Sequence, residues 1–237
     1  MSNVVIAGYA RSPFSPAVRG ELARTRPDDL TAQVVRALVE RTAVDPAHVE
    51  DLILGCAFPE GEQGFNAARL VALLADLPQT VAGTTVNRFC GSSMQSVHMA
   101  AGAIAMGAGE AFICAGVESM SRVPMQGFNP MPNPDMVNHA PAAYMSMGET
   151  AENVAGKYEI SRSEQEQFAV ASHAKAVQAV SAGNLTDELV PITTNGTEIS
   201  VDGCIRPDTT AEGLSQLKPA FDARGSVTAG TSSPLTD

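Results

Sequence analysis

The sequence predicts an α/β fold, a mixed and mostly parallel sheet between layers of helix, on three observations. Short apolar runs alternate with amphipathic segments, the apolar runs lack the polar alternation of a half-solvated strand, and 44% apolar against 17% charged residues suits a buried, layered interior. A chain of 237 residues is also long enough to bury a sizeable core.

In chain order, Val4–Ala7 reads as a buried strand opening into a loop through Gly8 and Arg11-Ser12-Pro13. Pro27 at a first helical position, Asp28 and Asp29 in the first turn, and Leu30, Val34 and Leu38 at spacings of four predict an amphipathic helix. Asp45-Pro46 starts a short helix and Leu52–Gly55 a second strand. Gly64–Leu74 reads as helix, Ala82–Val86 as extended, Ser92–Met106 as helix, and Ala111–Ala115 as a strand buried on both faces. Met120–Pro141 carries five prolines and no steady period, which predicts a loop excursion. Helix resumes at Gly148–Tyr158. Ser161-Arg162-Ser163-Glu164 is a capping box before a helix reaching Ala182, and Thr209-Thr210-Ala211-Glu212 repeats the signal for a shorter one. Gly225–Ser233 is strand-like and turn-like by stages.

Charge narrows the partners. Fifteen Lys and Arg against 26 Asp and Glu give a net charge of −11, a field that repels polyphosphate backbones and anionic lipid, so neither nucleic acid nor a membrane surface is expected. One anionic small molecule still fits if local donors converge. Met1–Ala10 has no basic stretch followed by a long apolar one, and no run approaches the roughly 18 apolar residues of a membrane span, so the expected location is the cytoplasm. Cys56, Cys90, Cys114 and Cys204 lie far apart without CxxC spacing, which predicts thiols rather than disulfides. Metal-ligand spacing is absent, as are GxGxxG, GxxxxGK[ST] and GxSxG; the C-G-S-C-W pattern breaks at Ser93 and Met94.

The chemistry concentrates at Asn87-Arg88-Phe89-Cys90-Gly91-Ser92-Ser93-Met94, between a predicted strand and a predicted helix. A helix N-terminus offers unpaired N–H groups and partial positive charge, which favour thiolate over thiol. Gly91, Ser92 and Ser93 have little bulk, so a substrate could approach the backbone there. The following helix, with Ala100, Ala101, Gly102, Ala103, Ala105 and Gly107, suits a tightly enclosed central position. The plainer reading makes Cys90 a small core hydrophobe, a description that fits Cys56 and Cys114. A nucleophile also needs a base, and His98, eight residues along the same helix or roughly 12 Å at 1.5 Å per residue, cannot serve. His48, His139 and His173 do not point at Cys90 by their spacing.

The run Asn87–Gln95 resembles the nucleophile segment of thiolases, and the resemblance runs from Val4 to Asp237. Gly116–Ser121, Met147–Asn153, Gln167-Phe168-Ala169, Ile205-Arg206-Pro207 and Gly230–Asp237 resemble family segments in family order. Arg88, Ser93, Arg206-Pro207 and Thr231-Ser232-Ser233 are most similar to the 3-ketoacyl-CoA type. The resemblance implies a thiolase-like layered αβαβα fold, of which this chain is the first half: residues 1–117 as an incomplete N-terminal domain, 118–224 as an inserted loop domain, and 225–237 returning and stopping before the last strand. It implies an acyltransferase that cleaves 3-ketoacyl-CoA with coenzyme A, or runs the reverse condensation, through an acyl-cysteine on Cys90, as in fatty-acid β-oxidation. The backbone N–H of Cys90 would serve the oxyanion. Met147 would line the pantetheine channel, Ser233 would bond the pantetheine arm, and Arg206 would lie near the adenine and phosphate end. Gly213 departs from the serine that biosynthetic relatives place near the adenine. No bound cofactor is implied, since coenzyme A is a substrate.

By the same resemblance, the activating histidine of a Gly-His-Pro segment and the acid–base cysteine of a Cys-x-Gly-Gly-Gly segment belong to a second half of about one further domain, and neither motif occurs in these residues. The expected partners are therefore acyl-CoA and CoA, a second copy in a homodimer or homotetramer, and possible supply of the remaining half by a separate chain. Met120, Met125, Met131, Met136, Met145 and Met147 read either as a pliable cover for an acyl chain or as packing against another subunit. An inactive truncation, or a thiolase-like protein that binds acyl-CoA or lipid without turnover, is the alternative function.

Overall fold

The computed structural model describes residues 4–237; Met1–Asn3, where the reading of a leader-free start begins, lie outside the described residues. The chain forms two compact units, one of residues 1–129, 187–203 and 235–237, the other of 130–186 and 204–234.

The first unit is built on three parallel strands, β1 (Val49–Gly55) at the centre, β2 (Ala82–Val86) on one side and β3 (Ala111–Gly116) on the other. Gly55 pairs with Val86 and with Gly116, so the strands end level at their carboxyl ends. Alternation sorts the faces. Leu52, Leu54 and Ile113 join one buried cluster with Ala32 and Val35 of α1 (Pro27–Thr42) and with Ala67, Ala68, Val71 and Ala72 of α2 (Ala67–Leu74). The opposite face, at the level of Gly55, Cys114 and Gly116, carries α3 (Ser92–Ala105). Helix, sheet and helix stack as three layers, the α/β arrangement that alternating elements dictate.

A hairpin closes against α1. Strands β4 (Ile192–Thr194) and β5 (Thr197–Ile199) meet through Asn195-Gly196, both at positive φ (49° and 77°), the backbone a tight hairpin turn requires. Ile192 and Ile199 bury beside Leu22 and Val190. The Arg11 guanidinium ties the start of the chain to this stretch, donating from Nε to Glu188 at 2.6 Å and from both Nη atoms to the Asp202 carboxylate at 2.8 Å. Burial alone would raise the Asp202 carboxyl, but the Arg11 hydrogen bonds, the Phe14 N–H and the Arg11 charge outweigh it and hold it below its ordinary 3.8. A lowered carboxylate contributes stability above its unfolded value and loses it as pH falls through the folded one. Arg11→Ala is therefore expected to cost about 2 kcal/mol near neutrality. It should also flatten the fall in urea midpoint as pH drops below the ordinary carboxyl range.

In the second unit, α4 (Pro134–His139) is short, α5 (Met147–Lys157) opens on a capping box of Ser146 and Glu149, and α6 (Arg162–Ser181) opens on the box of Ser161 and Glu164. The last helix, α7 (Ala211–Ser215), starts one residue later than its sequence signal: Thr210 accepts from Gly213 N–H, while the Thr209 hydroxyl turns back to the Arg206 carbonyl. Glu152 of α5 accepts the N–H groups of Ser226 and Val227, both at 2.9 Å, and fixes that return segment.

Several expectations are corrected. Val4–Ala7 forms no strand; β2 and β3 occupy both edges of β1, no described strand pairs beside residues 4–7, and Val5 is 76% exposed. β3 is not buried on both faces: of its residues only Ile113 is buried, and Gly116 is exposed. α3 is not enclosed either: within its unit one sheet covers it, so Ser92, Ser96 and Ala100 are buried at spacings of four, while Met94 stands 65% exposed. α2 begins at Ala67 rather than Gly64, since Phe65 takes φ +54°, outside helical space. The loop excursion contains α4, and a short 3₁₀ turn at Pro141–Tyr144 starts at its last residue.

Candidate functional site: a cysteine at a strand-to-helix turn

Cys90 lies between β2 and α3 and is exposed. The local sequence builds the turn. The Asn87 side-chain oxygen accepts the Phe89 N–H at 2.9 Å, a bend natural to asparagine. Phe89 takes φ +45°, the left-handed region disfavoured for a bulky residue by about 1–3 kcal/mol, so its neighbours must hold it. The buried Ser92 hydroxyl does so from the other side, accepting from Arg88 N–H at 2.8 Å and donating to the Phe89 carbonyl at 2.5 Å. Gly91 N–H bonds the Arg88 carbonyl and Ser92 N–H the Phe89 carbonyl, each at 3.0 Å, after which α3 begins. The backbone N–H of Cys90 has no acceptor among the described residues.

Two glycines seat this turn on the sheet. A Cβ on Gly55 would lie 2.4 Å from the Ser92 carbonyl carbon and the Ser93 nitrogen, and one on Gly116 2.6 Å from the Ser93 Cβ. The first turn of α3 thus rests directly on the carboxyl ends of β1 and β3, at a distance no side chain permits.

Beside the turn, the Glu118 carboxylate closes the loop after β1. It accepts Ala57 N–H at 2.7 Å, Phe58 N–H at 3.3 Å and the buried Gln63 amide at 2.8 Å, while the Gln63 oxygen accepts Ser119 N–H at 2.7 Å. Cys56 sits in this cluster and its thiol is pushed up to about 12, by burial first and then by the Glu118 charge. Burial also raises the Cys114 thiol, with the Ser96 hydroxyl opposing. Neutral buried thiols are poor nucleophiles. In the native chain at mildly alkaline pH, iodoacetamide should label Cys90 and leave Cys56 unmodified, as peptide mapping would show.

Met147, Arg206 and Ser233 belong to the second unit. Met147 is the first residue of α5 and 69% exposed; Arg206 is exposed, with its backbone N–H donated to His173 Nδ1 at 3.1 Å; Ser233 is exposed in the final segment. None of the three lines the unit's shallow recess of about 380 Å³, which Glu152, Ala155, Ser161, Arg224 and Ser226 surround. The sequence reading gave no role to Glu118, Gln63 or Asn87. Asn87 carried a legible signal, a turn-forming residue between strand and nucleophile, whereas Glu118 meets its partners 55–61 residues away and had none. Among the described residues no group of three or more His, Cys, Asp or Glu stands ready for a metal, and no helix is long and apolar enough to cross a membrane.

Fold and turn together define a layered α/β protein that presents a thiol at the opening of a helix. Comparison with known proteins makes the class specific: the family described as "Thiolase, N-terminal domain" matches residues 4–237, and this chain belongs to the thiolase family. It is 46% identical to the 3-ketoacyl-CoA thiolase of Bacillus subtilis (strain 168) over all of its length and 64% of that protein. It is likewise 46% identical to the one of Aliivibrio fischeri over all of its length and 63% of that one. The crystal structure of the Bacillus anthracis acetyl-CoA acetyltransferase superposes with a TM-score of 0.87 at 38% identity, covering all of this chain and 64% of that one. The chain therefore spans just under two thirds of the length of these relatives.

Proposed function

We propose that this chain carries the nucleophile half of a thiolase that splits 3-ketoacyl-CoA. The observation that supports it most is the exposed Cys90 on the turn into α3, its own N–H without an acceptor among the described residues, in a chain 46% identical over its length to about two thirds of a 3-ketoacyl-CoA thiolase.

In this reading the Cys90 thiolate adds to the C3 carbonyl carbon. The Cys90 N–H bonds the resulting oxyanion, a donor placed where charge develops. Collapse breaks the C2–C3 bond. The acyl group stays on sulfur as a thioester, and the electron pair leaves on C2 of acetyl-CoA, where a proton completes it. The thiolate of free coenzyme A then attacks the acyl-cysteine, releasing acyl-CoA and restoring Cys90. The base that takes the Cys90 proton and the acid that serves C2 are assigned to residues of the relatives' remaining third, in the same or a separate chain. Met147, Arg206 and Ser233 are proposed contacts for coenzyme A, supported by their exposure and by their place in family-like segments. The protein is proposed to work in the cytoplasm as a homodimer or homotetramer. Residues 118–224 remain the proposed inserted loop domain, of which 118–129 and 187–203 pack in the first compact unit.

Incubation with acetoacetyl-CoA, with the relatives' remaining third supplied from one of them, followed by acid quench and peptide mapping tests the reading. The expected result is one acetyl group on the Cys90 peptide and none on the others. Acyl-CoA retained with no acyl transfer under these conditions would instead establish binding without turnover.

A further inference from the structure

We propose that Glu118 and Asn87 are positioning residues for the Cys90 turn, acting through the Cys56–Phe58 loop; the inference rests on the reading of Cys90 as nucleophile. Glu118 follows β3, yet its carboxylate bonds the loop after β1, through the N–H groups of Ala57 at 2.7 Å and Phe58 at 3.3 Å. Its own orientation is fixed by Gln63, which is 1% exposed and spans the carboxylate, the Phe58 carbonyl and the Ser119 N–H. The far side of the same loop faces the turn. The Ala57 carbonyl accepts from Asn87 Nδ2 at 2.9 Å, and Asn87 Oδ1 accepts from Phe89 N–H at 2.9 Å. The Phe58 and Phe89 rings add a tilted contact at 6.1 Å between centroids.

One amide therefore uses both ends, one on the loop that Glu118 anchors and one on the residue that must stay at φ +45° immediately before the nucleophile. A carboxylate that served β3 alone would have no need of the loop. The chain of bonds runs from β3 to the β1 loop to the turn, so the direction in which Cys90 points depends on the loop as well as on the start of α3.

The test uses the 237-residue chain, with site-resolved iodoacetamide kinetics at Cys90 and hydrogen exchange at the Phe89 amide. Asn87→Ala, which loses both amide hydrogen bonds, is expected to slow Cys90 alkylation about fivefold or more and to speed Phe89 exchange. Asn87→Asp keeps the acceptor for Phe89 N–H and loses the donor to Ala57, so its rate should lie nearer the alanine variant than the wild type. Glu118→Gln, with Asn87 intact, should move both readouts in the same direction. An Asn87→Asp rate nearer wild type, or a folded Glu118→Gln with unchanged Phe89 exchange, overturns the proposal. Should Glu118→Gln not fold, the two exposed-site Asn87 variants decide alone. A wild-type Cys90 no faster than Cys114 sinks the nucleophile reading and this inference together. A fast Cys90 that Asn87→Ala leaves unchanged removes this inference only.

Discussion

Cys90→Ser will abolish covalent acyl capture from acetoacetyl-CoA, by on the order of 10³-fold or more, because a hydroxyl at this turn lacks the ionisation that makes a thiol nucleophilic. The substitution is nearly isosteric and its site is exposed, so the thermal midpoint should stay where it is. That separation gives the measurement its meaning: transfer lost with folding intact assigns the chemistry to sulfur at position 90. The same mapping should find Cys56 silent in both proteins, its thiol being held near 12 beside Glu118. Acyl transfer that survives the substitution would move the nucleophile to another residue.

Gly55→Ala will damage both stability and Cys90 reactivity, whereas Gly102→Ala will raise stability. The chemical change is identical, so the difference lies in the surroundings. At Gly55 the new methyl would meet main-chain atoms of Ser92 and Ser93 at 2.4 Å, and a helix backbone cannot rotate away as a flexible side chain can. Overpacking of this kind costs roughly 1–3 kcal/mol, and relief requires α3 to lift from β1, carrying the Cys90 turn with it. At Gly102 nothing stands within 4 Å of the added methyl, and alanine in a helix gains about 0.5–1 kcal/mol over glycine. Urea midpoints and Cys90 alkylation rates, read side by side on the two variants, check the pair; equal effects would refute the seating of α3 on Gly55.

The sequence carried the parts of this architecture that local chemistry encodes. Pro27 with Asp28 and Asp29, and the boxes at Ser161 and Glu164, mark helix starts because caps and first turns are short-range devices. The strands around Leu52, Ala82 and Ala111 and the turn at Cys90 follow from apolar runs ending in small residues. Asn195-Gly196 between Ile192 and Ile199 is a hairpin signal set amid polar neighbours, where alternation is too weak to mark the short strands beside it. What could not be read is set by distant partners. Val4–Ala7 has strand composition, but a strand exists only through its neighbours, and composition does not show whether one is present. The exposure of Met94 beside the burial of Ser96 depends on how many layers cover α3, a tertiary fact. The Glu118 cluster likewise exists through residues dozens of positions away, and no local pattern announces it.

The bonds from Arg11 to Glu188 and Asp202, and the paired backbone bonds between Ser15 and Asp237, join the beginning of the first unit to stretches nearly two hundred residues or more downstream. During synthesis the nascent chain cannot make them until the intervening helical stretch has left the ribosome. The helices α5 and α6, whose caps and hydrogen bonds are local, can form while the sheet unit still waits for its closing hairpin, and the long loop that must close first slows the last step. The Arg11–Ser15 segment is therefore secured late, although it is made before every strand of its unit.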